Sequence, residues 1–328
     1  MHFSNTNEIK VVDTLNKPLR IGVVLINWNT SVLTIQCINS LIAGKVKPSL
    51  IVVVDNDSVD DSTDQIGLNF PDVILIRNKV NKGFAEGNNQ GIEYLLKQDM
   101  DYIWILNNDT IVAKDCLERL AEAAKLNVNG ACFSGKIFYM DPPSQLWYGG
   151  GYRHKLHLAP KHYLTPKLDK LSNNEVVEVD FISGCCMFVP AGIFTKNGGF
   201  CPEYIAYSED NEWCWRIQHK QGKLLYVPKA VLWHHLSASM KKNTNRKNET
   251  GASSLAWYLL TRNNLWTIRY HATPIYKKII ALLLSIFLSI KIMSLCLLNG
   301  NGNNISSLGK GIWRGLFNAL PKQLKASL

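Results

Sequence analysis

Leu19-Arg20-Ile21-Gly22-Val23-Val24-Leu25-Ile26-Asn27 is a short apolar run with β-branched residues, closed by the polar Asn27-Trp28-Asn29-Thr30. A run of this kind reads as a strand buried on both faces. The pattern then repeats. Ser31 to Ala43 sets Val32, Ile35, Ile38, Leu41 and Ile42 at helical spacing. Leu50 to Val54 is a second buried strand, stopped by Asp55-Asn56-Asp57-Ser58. Val73 to Ile76 reads as a third strand and Phe84 to Lys97 as a helix. Tyr102 to Leu106 is a fourth strand, stopped by Asn107-Asn108-Asp109, and Lys114 to Leu126 a further helix. Strand and helix alternating at this spacing build an α/β, doubly wound, mostly parallel sheet covered on both faces. Ligands of such sheets bind beyond the carboxyl ends of the strands. Asp55, the segment Asn78 to Gly83 and the triplet Asn107 to Asp109 all fall at such ends. Their shared placement marks one crevice.

The bulk composition sets bounds. At 328 residues and 46% hydrophobic, the chain fits one large domain or a domain with an appendage. The net charge of +10 is uneven: from Lys220 to Leu328 there are sixteen Lys or Arg and one acid, Glu249. The preceding part holds 20 basic and 25 acidic residues. So one-sided a basic end suggests an anionic surface, such as a membrane leaflet. The basic residues accompany long apolar segments rather than a polar stacking platform, which argues against a nucleic-acid binder. Residues 1–18 are polar, lack the apolar core of a secretory signal, and read as a flexible lead-in. The eight Cys form no Cys-x-x-Cys pair and mostly sit among apolar neighbours. They read as reduced thiols of a cytoplasmic protein, without a disulfide framework or zinc knuckle.

Beyond the alternating region, Asp141 to Val179 is irregular: an insertion or a short antiparallel region over the site. Val179 to Val189 reads as a buried strand in which Ser183-Gly184 permits close backbone approach. Leu224 to Val227 and Ala230 to Trp233 read as short strands flanking Pro228, and Lys241 to Thr250 as a mobile loop. Ile279 to Leu298 is apolar apart from Lys291 and three Ser. It is long enough to cross a bilayer, but Lys291 near its middle makes crossing costly. Ile305 to Leu320 is a basic amphipathic helix. The expectation for 271–328 is a helical pair lying in the cytoplasmic membrane interface. The alternative is an appendage packed on the domain or on a second subunit.

Ser208-Glu209-Asp210-Asn211-Glu212-Trp213-Cys214-Trp215-Arg216 carries the strongest chemical signal. Three carboxylates and a guanidinium interleave with two Trp and a Cys. A carboxylate against apolar walls has its pKa raised, as a general base requires. The plainer reading is a helix capped by Ser208 with acids facing the macrodipole.

In order, these segments resemble the inverting family 2 glycosyltransferases with the GT-A fold, in particular a rhamnosyltransferase-rich subgroup of bacterial surface polysaccharide synthesis. The matching pieces are Val23 to Asn29, Val53 to Ser58, Arg77 to Ile92 and Leu106 to Thr110. They continue with Ile182 to Met187, Ser208 to Arg216, Val231 to His235 and Thr261-Arg262-Asn263-Asn264. The likeness covers about residues 19 to 265, so 19–270 is expected to form the transferase domain. It implies a nucleotide-diphosphate sugar donor (dTDP- or UDP-sugar) and a glycan or lipid-linked oligosaccharide acceptor. It implies Mg²⁺ or Mn²⁺ held by Asp109 and His234, with Asn107 standing where the family often has Asp. Asp55 matches the residue that bonds the pyrimidine. Asn27 at the end of the first strand, and Asn81 and Gly83 of a closing loop, complete the expected nucleotide site. Asp210 matches the general base, while Glu209, Glu212 and Arg216 would bind the acceptor, structure the motif or, for Arg216, approach the diphosphate. Two other readings stay open: a nucleotidyltransferase, and a non-catalytic homologue that binds nucleotide-sugar and scaffolds an assembly. The first would want a Gly-rich basic loop where the uncharged Asn27 to Thr30 stands.

Overall fold

Apolar runs without alternation have to be covered on both faces, and the chain covers them with one mixed sheet flanked by helices. The computed structural model describes residues 18–164, 174–236, 253–298 and 300–322. Most of the expected lead-in and the expected loop at 241–250 lie outside the described residues. The strands are β1 (Ile21–Asn27), β2 (Leu50–Asp55), β3 (Ile74–Arg77), β4 (Tyr102–Leu106), β5 (Thr110–Val112) and β6 (Gly130–Tyr139). They continue as β7 (Leu146–Tyr148), β8 (Gly151–Arg153), β9 (Pro160–His162), β10 (Val177–Glu178), β11 (Cys186–Pro190) and β12 (Lys223–His234). The helices are α1 (Ser31–Ile42), α2 (Ser62–Asn69), α3 (Gly83–Leu96), α4 (Cys116–Leu126), α5 (Ala191–Asn197) and α6 (Glu209–His219). The last three are α7 (Ser254–His271), α8 (Ile275–Leu298) and α9 (Gly302–Phe317).

The sheet runs β10-β12-β6-β11-β4-β1-β2-β3. Strands β4, β1, β2 and β3 are parallel. Antiparallel β11 lies between β4 and β6. The order reverses at β1, so the loops after β1 and β4 diverge and open a crevice there. The core is continuous across the sheet. Trp104 and Phe188 meet edge to face at 6.5 Å, and Phe188 stacks on Tyr102 at 4.8 Å. All eight Cys are buried free thiols.

Three expectations change. The strand read over 179–189 is confined to 186–190. Before it the chain turns, because the Gly184 amide is drawn to Asp210 rather than to a sheet neighbour. The two short strands around Pro228 are one strand, β12, whose register shifts between Val227 and Val231. Proline removes one ladder donor, and the strand bulges rather than ends. Helix α7 had no counterpart in the sequence reading. The irregular 141–179 region does contain short antiparallel pairs, β8 with β9 and β7 with β6.

The C-terminal helices divide the two expectations made for them. Helix α9 packs on α7: a Cβ at Gly311 would lie 2.9 Å from Thr261 Cβ, and one at Gly315 2.8 Å from Leu265. The Arg269 guanidinium donates to the Gly315 and Asn318 carbonyls. Helix α8, by contrast, leaves Ile279, Leu283, Phe287 and Ile290 exposed along one stripe. By length and composition it could cross a membrane. Trp313 and Phe317 on α9 are exposed as a pair, 4.5 Å apart.

Helix α3 approaches β1 closely enough to need glycine. A Cβ at Gly91 would lie 2.4 Å from Val24 Cγ1, a buried strand residue that cannot retreat. Gly91→Ala is expected to cost about 1–3 kcal/mol, read from the midpoint of urea unfolding; an unchanged midpoint contradicts this packing.

Candidate active site

The crevice is assembled from strand ends. Asn27 closes β1 and Asp55 closes β2, and the two are paired in register. Asn27 Nδ2 donates to Asp55 Oδ1 at 2.7 Å, while its Oδ1 accepts from Thr34 Oγ1 at 2.7 Å. The Ser58 hydroxyl donates to Asp55 Oδ1 at 2.6 Å and the Ser58 amide to Oδ2 at 3.0 Å. Asp55 is therefore a fixed turn residue, 2% exposed, with a carboxylate already supplied with donors. From there hydrogen bonds lead to α3. Asn56 Nδ2 donates to the Gly83 carbonyl and Asn78 Nδ2 to Asn56 Oδ1, both at 2.9 Å. The Gly83 amide donates to Asn81 Oδ1 at 2.9 Å. Gly83 has φ +79°, and a Cβ there would lie 2.7 Å from the Ile205 carbonyl oxygen, so the turn needs glycine on both counts.

Asn107, Asn108 and Asp109 form the turn between β4 and β5. Asn108 Nδ2 donates to Thr30 and Thr34, both at 2.8 Å. Pairing of β5 with β12 places His234 opposite Thr110. His234 Nε2 comes to 2.9 Å from Asp109 Oδ1, and Asn107 Nδ2 lies 3.3 Å from the same ring nitrogen. Both Asp109 and His234 are buried. Two ligands of one octahedral ion, each about 2.1 Å from it, sit about 3 Å apart. The carboxylate oxygen, imidazole nitrogen and their spacing thus fit Mg²⁺ or Mn²⁺. No third His, Cys, Asp or Glu joins them among the described residues, so the rest of a coordination shell would come from elsewhere. His234 Nδ1 is buried without a partner, so the ring lacks the outer hydrogen bond usual for a metal-bound imidazole.

Helix α6 delivers the third component. Asp210 Oδ2 accepts from the Gly184 amide at 2.9 Å and Oδ1 from the Asn211 amide at 2.7 Å. The next residue, Cys185, accepts at its carbonyl from the Asn107 amide at 3.0 Å. Consecutive residues 184 and 185 therefore bind the acid of α6 and the Asn107–Asp109 turn. Burial pushes the Cys185 thiol well up, and the fields of Asp109 and Asp210 both add to it. Asp109, His234 and Asp210 converge at one end of the sheet. Burial raises the Asp210 carboxyl above its ordinary value, and the amides of Gly184 and Asn211 pull the other way without cancelling it. Glu209 is raised further by burial and by Asp210 beside it, and its Oε2 is buried with no partner.

Glu212 and Arg216 lie elsewhere. Both are buried, joined at 3.0 Å by two bonds, with Arg216 also donating to the Asn197 and Gly199 carbonyls. Every arm of this guanidinium is used within the fold, which leaves none for a diphosphate. Burial pushes the Glu212 carboxyl up, but Arg216 and His271 overcome it and hold it below its usual value. At His271 burial wins over Glu212 and lowers the imidazole. That pair, 3.2 Å apart, is thus a neutral ring N–H on a carboxylate, and Arg216 carries the balancing charge. The motif divides by position: Asp210 meets the Gly184 turn, while Glu212 and Arg216 form a buried brace. Ser208 occupies the cap position in a left-handed conformation, and its side chain makes no cap bond.

The sequence model of "Glycosyl transferase family 2" matches residues 23–198, which run from β1 through β11 and include Asn27, Asp55 and the Asn107–Asp109 turn. The chain belongs to glycosyl transferase family 2. Among its relatives is the N-acetylglucosaminyl-diphospho-decaprenol L-rhamnosyltransferase of Mycobacterium tuberculosis, 24% identical over 69% of this chain and 80% of that protein. The low-salt glycan biosynthesis hexosyltransferase Agl10 of Haloferax volcanii is 25% identical over 65% of this chain and 66% of its own. Two solved structures share the fold. GalNAc-T7 with UDP, GalNAc and Mn²⁺ has a TM-score of 0.60 at 18% identity, over 77% of this chain and 48% of that one. S. aureus TarS 1-349 has a TM-score of 0.56 at 16% identity, over 94% of this chain and 83% of that one. The family 2 chain is a glycosyltransferase with a GT-A fold and rhamnosyltransferase-like relatives.

Glu209 gives a test that needs no substrate. A buried carboxyl with a raised pKa favours folding while protonated, and that contribution is lost as pH rises through its folded pKa. Glu209→Gln, which never ionises, is expected to melt at a higher temperature than the parent, by a margin that grows with pH. A margin that shrinks with rising pH contradicts the burial of this acid.

Proposed function

We propose that this glycosyltransferase moves a sugar, rhamnose first among candidates, from a dTDP- or UDP-sugar to a hydroxyl of a lipid-linked glycan, with inversion. The observation that carries the proposal is the convergence of Asp210 with Asp109 and His234 through residues 184 and 185. The acceptor oxygen attacks the anomeric carbon as its proton passes to a carboxylate oxygen of Asp210. The bond from that carbon to the phosphate oxygen breaks and the nucleoside diphosphate leaves. Burial raises the Asp210 carboxyl and so makes its carboxylate the stronger base, and the Gly184 and Asn211 amides orient it. Asp109 and His234 would hold Mg²⁺ or Mn²⁺, which when bound neutralises charge on the diphosphate. The Asn27–Asp55 pair and the Asn81–Gly83 turn would frame the nucleotide. The mycobacterial relative's name specifies a diphospho-decaprenol acceptor, which supports a lipid-linked acceptor here. The exposed stripe of α8 and the Trp313–Phe317 pair, beside Lys310 and Arg314, would rest on the inner face of the cell membrane.

The chemistry is tested by thermal shift and transfer together. A UDP- or dTDP-sugar is expected to raise the melting temperature with Mn²⁺ but not with chelator. Asp210→Asn should keep that shift and lose transfer by at least about 10²-fold. Retained turnover removes Asp210 from its role. In the parent, the acid limb of the rate profile should lie above the ordinary Asp range. The membrane contact is tested separately. Leu283→Ser with Phe287→Ser is expected to abolish sedimentation with anionic vesicles without lowering the melting temperature; undiminished sedimentation would exclude this face.

A further inference from the structure

Thr261-Arg262-Asn263-Asn264 lies on α7, away from the sheet, and none of the steps above uses it. We infer that Asn263 and Arg262 are positioning residues for the reaction, holding residues 203–208 as a strap that aims Asp210. In this the inference rests on the role proposed for Asp210.

Asn263 is fully buried, and its Nδ2 donates to three backbone carbonyls: Tyr204 at 2.9 Å, Ala206 at 2.9 Å and Tyr207 at 2.7 Å. An amide has two N–H groups, so one of them is shared. Arg262 fixes which way that amide points, because its Nε donates to Asn263 Oδ1 at 2.9 Å. Arg262 Nη2 adds bonds to the Glu203 and Tyr204 carbonyls at 2.8 and 3.3 Å. The guanidinium stands 4.3 Å over the Trp266 ring and 5.1 Å from that of Tyr258. Two adjacent side chains thus satisfy four carbonyls of one short segment.

That segment requires holding. Ile205, Tyr207 and Ser208 have φ of 66°, 67° and 67°, a left-handed region that is costly for non-glycine residues and most of all for β-branched Ile. Backbone of this kind persists where its surroundings over-determine it. The strap's ends lead to the crevice. The Ile205 carbonyl accepts from the Ala85 amide of α3 at 3.0 Å. Ser208 is the last residue before α6, and its carbonyl accepts from the Glu212 amide at 2.9 Å. Asp210 sits in that first turn, against Gly184. Freed from Asn263, the strap can relax toward ordinary φ values, which turns the start of α6 and pulls Asp210 off the Gly184 amide. Misplacement by about 1 Å is enough to cost about 10²-fold in rate.

The test uses the full chain and Asn263→Asp, which keeps the volume and removes the donors. The turnover arm uses Mn²⁺ and whichever nucleotide sugar the thermal screen retains. The expected result is kcat lower by about 10²-fold, with UDP or dTDP affinity held and the acid limb of the pH–rate profile displaced. Hydrogen exchange of the donor-free protein should accelerate at the Ile205, Ala206 and Glu212 amides and not in β1, β2 or β4. Accelerated exchange with undiminished kcat overturns the positioning role, and unchanged exchange overturns the clamp itself. If Asn263→Asp does not fold, Arg262→Lys is read by the same two measurements. A parent chain that turns over no nucleotide sugar defeats the functional proposal, and the exchange result still decides the clamp.

Discussion

A carboxylate removed from water has to be met by donors or by charge, and the second half of this chain is organised by how it meets that requirement. Asp210 receives two backbone amides. Asp109 receives an imidazole carried in by the far end of β12. Glu212 receives a guanidinium whose other arms are spent on backbone carbonyls. Glu209 is left with an orphan oxygen and is pushed up accordingly. Asp210 and Glu212 thus tie the 184–185 turn, α5 and α7 to α6, while Asp109 ties β12 to the turn after β4.

The parallel half of the fold was legible because a strand buried on both faces must be apolar throughout. Such runs at 21–27, 50–55 and 102–106 are hard to read otherwise. Strand β6 was hidden by Gly130, Ser134, Gly135 and Lys136, small or polar residues inside a strand at the middle of the sheet. Gly135 is there because a Cβ would lie 2.4 Å from the Ala230 carbonyl, across the bulge of β12. Helix α7 was hidden for another reason. Its buried side mixes Thr261, Arg262, Asn263, Thr267 and His271 with Leu259, Leu265, Trp266 and Ile268, so polar residues interrupt the apolar period.

Within the site, residue types were legible and their divisions of labour were not. Glu209, Asp210, Glu212 and Arg216 stand within one stretch, yet only the folded chain separates the acid that meets Gly184 from the Glu212–Arg216 brace. The register of β12 against β5 brings His234 to Asp109, and a ladder across a bulged strand leaves no mark in local sequence. Asn263 had a motif but no assigned chemistry, since its partners are carbonyls that any residue could supply.

The burial of all eight thiols has a practical consequence. With no sulfhydryl at the surface, and with burial pushing most of them up, alkylating reagents have nothing to attack while the chain stays folded. Cys37 lies in the parallel half, Cys116 on α4 against β12 and β6, Cys201 beside the strap and Cys296 on α8. The order in which they become reactive under mild chaotrope would time the opening of each region, with no foreign label introduced.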